Sequence, residues 1–376
     1  MNIKVFACGD IVNTTSKDSF VSSELAALIK SADISICNFE APVSGAGNPI
    51  SKVGPHLKQL PETIDLLLQS GFTMLSMANN HIYDFNQEGL ETTLQKSHAS
   101  GLCVVGAGKN FDDAYTMKIK KVRGTKFGFL SACEAEFGCL IENGSHGGYA
   151  WINHPLLDDM VQKSRSQIDI LIFIAHAGPE EVDIPLPEWR ARYRRLCDLG
   201  ADVVIGHHPH VPQGWELYNG KPIFYSLGNF YFDWGCFKGS ANYSYSIMLE
   251  FENKEFKGYE IIPHKLINGK TSIISEPAFD VKLKGLHLVL EKDYNTLVNQ
   301  MVIDLYKTRY EPYYANALQG VYNNMGLFEK MTKLVKWLFP RYNEKARGLM
   351  LLHNIRIESH RYVTQRALSL LWEKHS

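Results

Sequence analysis

Short apolar runs alternate with longer amphipathic ones over roughly the first 235 residues. "IKVFACG" (3–9) and "ISICNF" (34–39) are rich in β-branched and aromatic residues and predict strands. Between them, "SELAALIKSA" (23–32) spaces its apolar positions three and four apart, which predicts a helix. The alternation continues with helices over 61–71, 86–101, 155–167 and 188–200, and strands over 72–78, 102–108, 168–176 and 201–207. Residues 116–132 predict two strands around an Arg-Gly turn. The strand at 170–174 is apolar throughout, as expected of one buried on both faces. Alternation of this kind predicts an α/β fold. From about 215 the pattern changes. Residues 214–230 predict a hairpin turning at Asn219-Gly220, and 244–266 another turning near Glu252–Lys254, so this stretch is expected to be antiparallel sheet. From 286 the chain is mainly helical, with breaks at Pro312, around Gly326 and at Pro340. Two regions are therefore expected: 1–285, and a helical region 286–376 that packs on it or meets a partner.

Polar residues gather where the apolar runs stop. "KVFACGD" ends on Asp10, and "ISICNFE" on Asn38 and Glu40. "MLSMANNHIYD" delivers Asn79, Asn80, His81 and Asp84; "ILIFIAHAGPE" delivers His176 and Glu180; "DVVIGHHPH" delivers His207, His208 and His210. In open α/β sheets, ligands bind beyond the carboxyl ends of the strands. Five strand ends each bring a carboxylate, an amide or an imidazole to that edge. Oxygen and nitrogen donors of this kind suit Mn, Fe or Zn and not a thiolate site. His208 and His210, two apart on an extended segment, would face one side. His207 is then the structural one of the three, or a group facing the substrate. His81 is placed to act as a general acid if Asp84 orients it.

Charge and cysteine content narrow the function class. A formal net charge of -1 excludes nucleic-acid binding by bulk charge. Seven scattered cysteines with no CxxC pair read as reduced thiols. No run reaches the roughly 18–20 apolar residues of a membrane span, and "MNIKVFACGDIV" reads as a strand rather than a leader, so a cytoplasmic protein is expected. Residues 327–376 carry ten Lys or Arg against four Glu. Within them, 327–340 has an apolar stripe beside Lys330, Lys333 and Lys336, which predicts a basic amphipathic helix. That helix packs on the main domain, or contacts a membrane surface or a synthase partner. Arg190, Arg192, Arg194 and Arg195 spread around helix 188–200 and read as a solvated surface. The loop 50–58 reads as a solvated connection, or as a place where Lys52, His56 and Lys58 meet an anionic substrate.

The motifs "GD" (9–10), "NFE" (38–40), "ANNHIYD" (78–84), "HAGPE" (176–180), "GHHPHVPQ" (206–213) and "SLGNFYFD" (226–233) together resemble the CapA family of capsule and poly-gamma-glutamate biosynthesis proteins. That family is similar to the calcineurin-like metallophosphoesterases. The resemblance implies a four-layer αββα sandwich followed here by a C-terminal helical extension. It implies one or two divalent ions held by Asp10, Glu40, Asn80, His176, His208 and His210, or no ion. His81, Asp84 and His208 would be the catalytic groups. Asn38, Asn79, Glu180, His207 and Asn229 would face the substrate, an anionic small molecule, peptide or glycan. Several positions depart from the phosphoesterase pattern. Ile11 and Val12 follow Asp10 where that pattern has Asp-x-His, and Glu40 is the only carboxylate of the second motif. Ala177 stands where Trp is usual, and Asn86 where Gly is common. Three functions remain open: metal-dependent hydrolysis of a phosphoester or amide in envelope polymer synthesis, metal-independent epimerisation of a peptide or amino acid in the same pocket, and a non-catalytic accessory role.

Overall fold

A computed structural model describes residues 2–234, 243–318, 325–328, 330–332 and 344–373, with Glu344 as backbone alone. β1 (Ile3–Val12) is buried at every position but Lys4, as a mostly apolar run requires, and Asp10 is the charged residue buried with it. α1 (Ser23–Lys30) begins where the Ser22 hydroxyl accepts the Leu25 N–H, with Glu24 in its first turn and Lys30 in its last. β2 (Ile34–Phe39), α2 (Thr63–Ser70), β3 (Met74–Ser76), α3 (Asn86–Ala99) and β4 (Cys103–Val105) continue the alternation. Next come β5 (Ala107–Gly108), α4 (Phe111–Tyr115), the hairpin β6 (Lys118–Val122) and β7 (Thr125–Cys133), β8 (Cys139–Leu140) and β9 (Gly148–Ala150). α5 (Pro155–Ser164), β10 (Ile170–His176), α6 (Pro187–Leu199) and β11 (Val203–His207) follow. Two hairpins, β12 (Trp215–Tyr218) with β13 (Lys221–Phe224) and β15 (Tyr243–Glu252) with β16 (Glu255–Ile267), flank β14 (Asn229–Phe232). β17 (Lys270–Ile273), α7 (Pro277–Glu291), α8 (Tyr294–Leu305) and α9 (Glu311–Leu318) come after.

The first sheet has the order β17-β16-β15-β1-β2-β3-β4, with β14 also paired to β1, and the second β12-β13-β11-β10-β7-β6. Val5, Ile36 and Met74 from one sheet pack with Phe129, Ile172, Ile174 and Ile205 from the other in a shared core. The opposite face of the first sheet packs Phe6, Cys37 and Leu75 against Leu25, Ile29, Ile64, Leu67 and Leu90 of α1, α2 and α3. α6 lies against β11, β13 and α5. The result is a mixed α/β sandwich with helices outside two packed sheets.

Both hairpins turn where the pattern places them. Asn219 and Gly220, and likewise Asn253 and Lys254, have positive φ at both central positions, the backbone that matches strand twist. The expectation of an antiparallel stretch from 215 to 285 holds only in part. β13 runs parallel to β11, and β14 runs parallel to β1. β1 changes neighbour midway: Ile3–Ala7 pair with β15, and Asp10–Val12 pair with β14. Gly9 sits at that switch, where a Cβ would lie 1.7 Å from the Gly228 carbonyl oxygen. Only glycine allows the approach, and the Asp10 N–H then donates to that same carbonyl at 3.0 Å.

The chain forms two compact units, Met1–Ile50 with His56–Lys292, and Ser51–Pro55 with Asp293–Ser376. Phe279, Leu283 and Leu286 of α7 belong to the core between the sheets, which is why the first unit runs past residue 285. In the second unit, α8 packs with the helix Glu358–Trp372, and α9 with the helix Glu344–Arg356. The chain does not break at Pro312. It runs through a five-residue π-helical turn, Tyr306–Tyr310, directly into α9, which places the missing proline N–H in the first turn of a new helix. The amphipathic stretch 327–340 and Pro340 lie for the most part outside the described residues. No helix among the described residues is long and apolar enough to cross a membrane.

Of the four arginines of α6, Arg195 is exposed as expected, but the other three are partly buried and paired. Arg190 and Arg194 both bond Glu216 of β12, and Arg192 bonds Asp158 and the Ile152 carbonyl. Their acidic partners come from α5 and β12, distant in sequence, so the helix pattern alone does not reveal them.

Candidate metal centre

The carboxyl ends of β1, β2 and β3 in one sheet and of β10 and β11 in the other meet at one place. Asp10, Glu40, Asn80, His176, His208 and His210 all reach it, and all are buried. Two trios have ligand atoms within 4.8 Å of one another: Glu40 with His176 and His208, and Asp10 with Glu40 and His210. Glu40 belongs to both. Its Oε1 lies 3.6 Å from His176 Nε2 and 3.5 Å from His210 Nε2. His208 Nδ1 is 3.0 Å from His176 Nε2, and Asn80 Oδ1 is 3.2 Å from that same nitrogen. Donors bound at about 2.1 Å to one cation stand roughly 3.0–3.5 Å apart along the edges of a tetrahedron or octahedron. The observed spacings match those edges, and the donors are carboxylate, amide oxygen and imidazole. The residues fit one or two divalent ions of the Mn, Fe or Zn kind.

Electrostatics agree with the ligand forms. Burial, reinforced by His208, His207 and His210, holds His176 well below the usual imidazole range. Burial likewise brings His208 down to about 4, against the opposing pull of Glu180. Both rings are then neutral at pH 7, which a metal ligand must be. Burial pushes Asp10 up, but His207, His210 and Asn38 outweigh it and leave its carboxyl below the ordinary value.

The backbone around β11 departs from the extended segment the sequence suggests. His208 has φ 96° and His210 φ 59°. Non-glycine residues there cost about 1–3 kcal/mol each, and the turn they make aims both rings at the cluster. Just before the turn, Gly206 allows the close approach of the Tyr225 carbonyl oxygen, which would lie 2.0 Å from a Cβ there.

Several of the residues expected to face the substrate are hydrogen-bonded within the cluster or to the turn beside it. Asn38 Nδ2 donates to Asp10 Oδ1 at 2.8 Å and lies 3.3 Å from His176 Nδ1. Asn79 donates to the Phe39 carbonyl, and its Oδ1 accepts the N–H groups of His81 and Ile82. His207 is buried, 3.3 Å from Asp10 Oδ1, so it backs the carboxylate on the side away from His210. Asn229 Oδ1 meets His210 Nδ1 at 2.9 Å, which leaves Nε2 of that ring facing Glu40. Asn38, His207 and Asn229 thus lie against the candidate ligands, where outer-shell residues of a metal site would stand, while Asn79 braces the turn that carries His81. Asn229 Nδ2 has no partner among the described residues. Glu180 alone of the five is exposed.

His81 and Asp84 form the expected pair. His81 Nδ1 lies 2.7 Å from Asp84 Oδ2, which also accepts the Leu57 N–H at 2.8 Å. Asn86, which departs from the glycine common there, has φ 67°. Asparagine tolerates that left-handed backbone better than other non-glycine residues, so the turn survives the exchange. Glu134 and Glu136, which follow β7, join the cluster although no motif among the other strand ends includes them. Their carboxylates lie 3.9 and 3.8 Å from His208 Nε2, and Glu134 also accepts the Gly178 N–H at 2.9 Å. The signal was there: two acids follow an apolar run, as at the other strand ends.

A model of the family described as "Bacterial capsule synthesis protein PGA_cap" matches residues 4–234. The chain is 32% identical over 247 residues to the capsule biosynthesis protein CapA of Bacillus anthracis, covering 63% of this chain and 60% of that protein. It is 32% identical over 210 residues to the PGA biosynthesis protein CapA of Bacillus subtilis (strain 168), covering 55% of each. The chain thus spans less than two thirds of the length of these relatives. Among solved structures, a novel phosphatase from Mycoplasma pneumoniae aligns with a TM-score of 0.44 at 14% identity, over 79% of this chain and 99% of that one. With the family match covering more than half of the sequence and every motif of the ligand cluster, the chain belongs to the bacterial capsule synthesis protein family.

Proposed function

We propose that the chain is a metal-dependent hydrolase that cleaves a phosphoester or amide in an anionic intermediate of capsule or envelope polymer synthesis. The observation that carries this reading is the placement of Glu40 in both ligand trios. Asp10, Glu40 and His210 would hold one ion; Glu40, Asn80, His176 and His208 would hold the other. Ions bound there supply Lewis acidity, which brings the pKa of water near neutrality and offsets charge developing on the attacked group. The protein's own acid is His81. Asp84 occupies its Nδ1, so the transferable proton sits on Nε2 and passes to the leaving group. Asp84 is itself fixed by the Leu57 N–H, which keeps the imidazole from rotating.

The test joins metal content with turnover. Protein purified without a histidine tag should retain one or two equivalents of Mn, Fe or Zn, and should hydrolyse phosphoesters or amides when those metals are supplied. Absence of both retained metal and hydrolysis with every divalent ion would overturn the reading. Solvent deuterium entering an amino-acid or peptide substrate in the presence of chelator would replace it with proton-exchange chemistry.

A further inference from the structure

The two compact units differ in charge and in the apolar surface they leave open. The second, Ser51–Pro55 with Asp293–Ser376, carries thirteen Lys and Arg against seven Asp and Glu, a surplus of six. The first carries twenty-six against thirty-three, a deficit of seven. Among the described residues, half of the large apolar side chains that stand exposed also fall in the second unit, which holds less than a quarter of the chain. Single exposed apolar residues are ordinary, whereas a concentration of them marks an interaction surface. Three stand almost wholly in solvent: Phe328 at 84%, Leu327 at 78% and Trp372 at 74% exposure. Bases stand among them. Lys330 is exposed one helical turn on from Leu327. Lys345 is exposed two turns before Leu352, on the same face of the helix Glu344–Arg356.

We propose that the second unit binds an anionic lipid surface, with its exposed Leu, Phe and Trp side chains entering the headgroup layer and its lysines meeting the lipid phosphates. Peripheral binding of this kind needs buried apolar area and basic charge together, and this unit supplies both. The first unit has the same sign of charge as the lipid, so the attraction falls on the second alone. A protein groove takes one apolar stripe of one helix. Here the exposed apolar residues come from α8, α9, the stretch 327–331 and the two helices Glu344–Arg356 and Glu358–Trp372, with no more than three from each. Anchors spread over several helices suit a broad, deformable partner. A nucleic acid or an acidic polymer would use the bases and leave the apolar side chains in water. Leu368 and Trp372, four apart, share a face at the end of their helix, and tryptophan is a side chain that favours the membrane–water boundary.

The test is co-flotation of the full-length protein with vesicles of phosphatidylcholine alone and of phosphatidylcholine with about one third phosphatidylglycerol. The protein should float with the anionic vesicles and bind the neutral ones at least about tenfold more weakly. The difference should vanish as salt shortens the screening length to about 3 Å at 1 M. Lys330→Glu with Lys345→Glu should weaken binding by about tenfold or more, since each base near the surface contributes about fivefold. Phe328→Ser with Trp372→Ser should weaken it by about tenfold with no change of charge. All four positions are exposed, and circular dichroism of each variant checks that the fold is kept. Failure to float with anionic vesicles, equal binding to neutral ones, or anionic binding that survives either pair of substitutions would each overturn the proposal. So would self-association without vesicle binding that Phe328→Ser with Trp372→Ser abolishes, which would give the surface to a second copy of the chain.

Discussion

Glu40→Gln separates a shared ligand from a set of independent ones. The substitution keeps the side chain's volume and removes its charge. Glu40 is fully buried and is the only residue common to the two trios, whereas His208 belongs to one. Metal that binds the folded state at one hundred times its Kd stabilises it by about 2.7 kcal/mol per site. The unit that holds the cluster has about 290 residues, so its unfolding entropy is about 0.6 kcal/mol/K, and each occupied site raises Tm by about 4–5 °C. Wild type stripped by chelator should therefore gain about 9 °C on saturation with Mn or Zn. His208→Asn should keep about half of that gain; asparagine tolerates the positive φ at 208 and is too short to ligate. Glu40→Gln should gain almost nothing. Its stripped form should melt no lower than stripped wild type, because burying a carboxylate without its cation is itself unfavourable. Scanning fluorimetry with metal analysis on the same samples reads all three. A Glu40→Gln protein that retains a full metal-dependent shift, or a His208→Asn protein that loses both, would refute the shared placement.

Other substitutions test the surroundings. His81→Asn and Asp84→Asn should lower kcat/KM by about 10²–10⁴ on substrates with poor leaving groups and much less on nitrophenyl esters, with metal content unchanged; equal losses on both would remove His81 as the acid. Glu134→Gln and Glu136→Gln should weaken metal at the His208 trio by about 10–100-fold, read by competition with a chromogenic chelator, because these carboxylates face the far nitrogen of that ring. Unchanged affinity in both would mean they do not orient it. Glu216 should shape acid stability. Burial opposes its ionisation, but bonds from Arg194, Arg190 and Tyr225 prevail and bring it from near 4.5 to about 2. A depressed carboxyl contributes stability above its unfolded pKa and loses it as pH falls through the folded one. About 3 kcal/mol should thus be present above pH 4.5 in wild type and disappear toward pH 2. Glu216→Gln should lack that pH-dependent loss in urea unfolding; an unchanged profile would contradict the pairing.

The strand ends were legible because each is local: an apolar run, then a polar residue, read within ten positions. Their convergence follows from one rule about parallel strands, and it holds for β1, β2, β3, β10 and β11 although they belong to two different sheets. What the residues do once assembled was less legible, and the amides show why. Asn38, Asn79, Asn80 and Asn229 are one residue type at equivalent-looking places. Yet Asn80 points its oxygen into the cluster, Asn38 steadies Asp10, Asn79 caps the turn carrying His81, and Asn229 fixes the His210 ring. The difference lies in where each spends its donors and acceptors, which depends on partners from distant strands. The same holds for the arginines of α6, whose spacing on the helix says nothing of the carboxylates that α5 and β12 bring to them. The clustered histidines add a second limit. Periodicity describes regular backbone, and His208 and His210 reach the site through positive-φ turns. The Gly206–Tyr225 approach lies just before the first of these turns, and within it the His208 N–H donates to Asp10 Oδ2. A site that orients its ligands through strained backbone is therefore visible in sequence as a cluster of residue types, while its geometry is written in the glycines that make room for it.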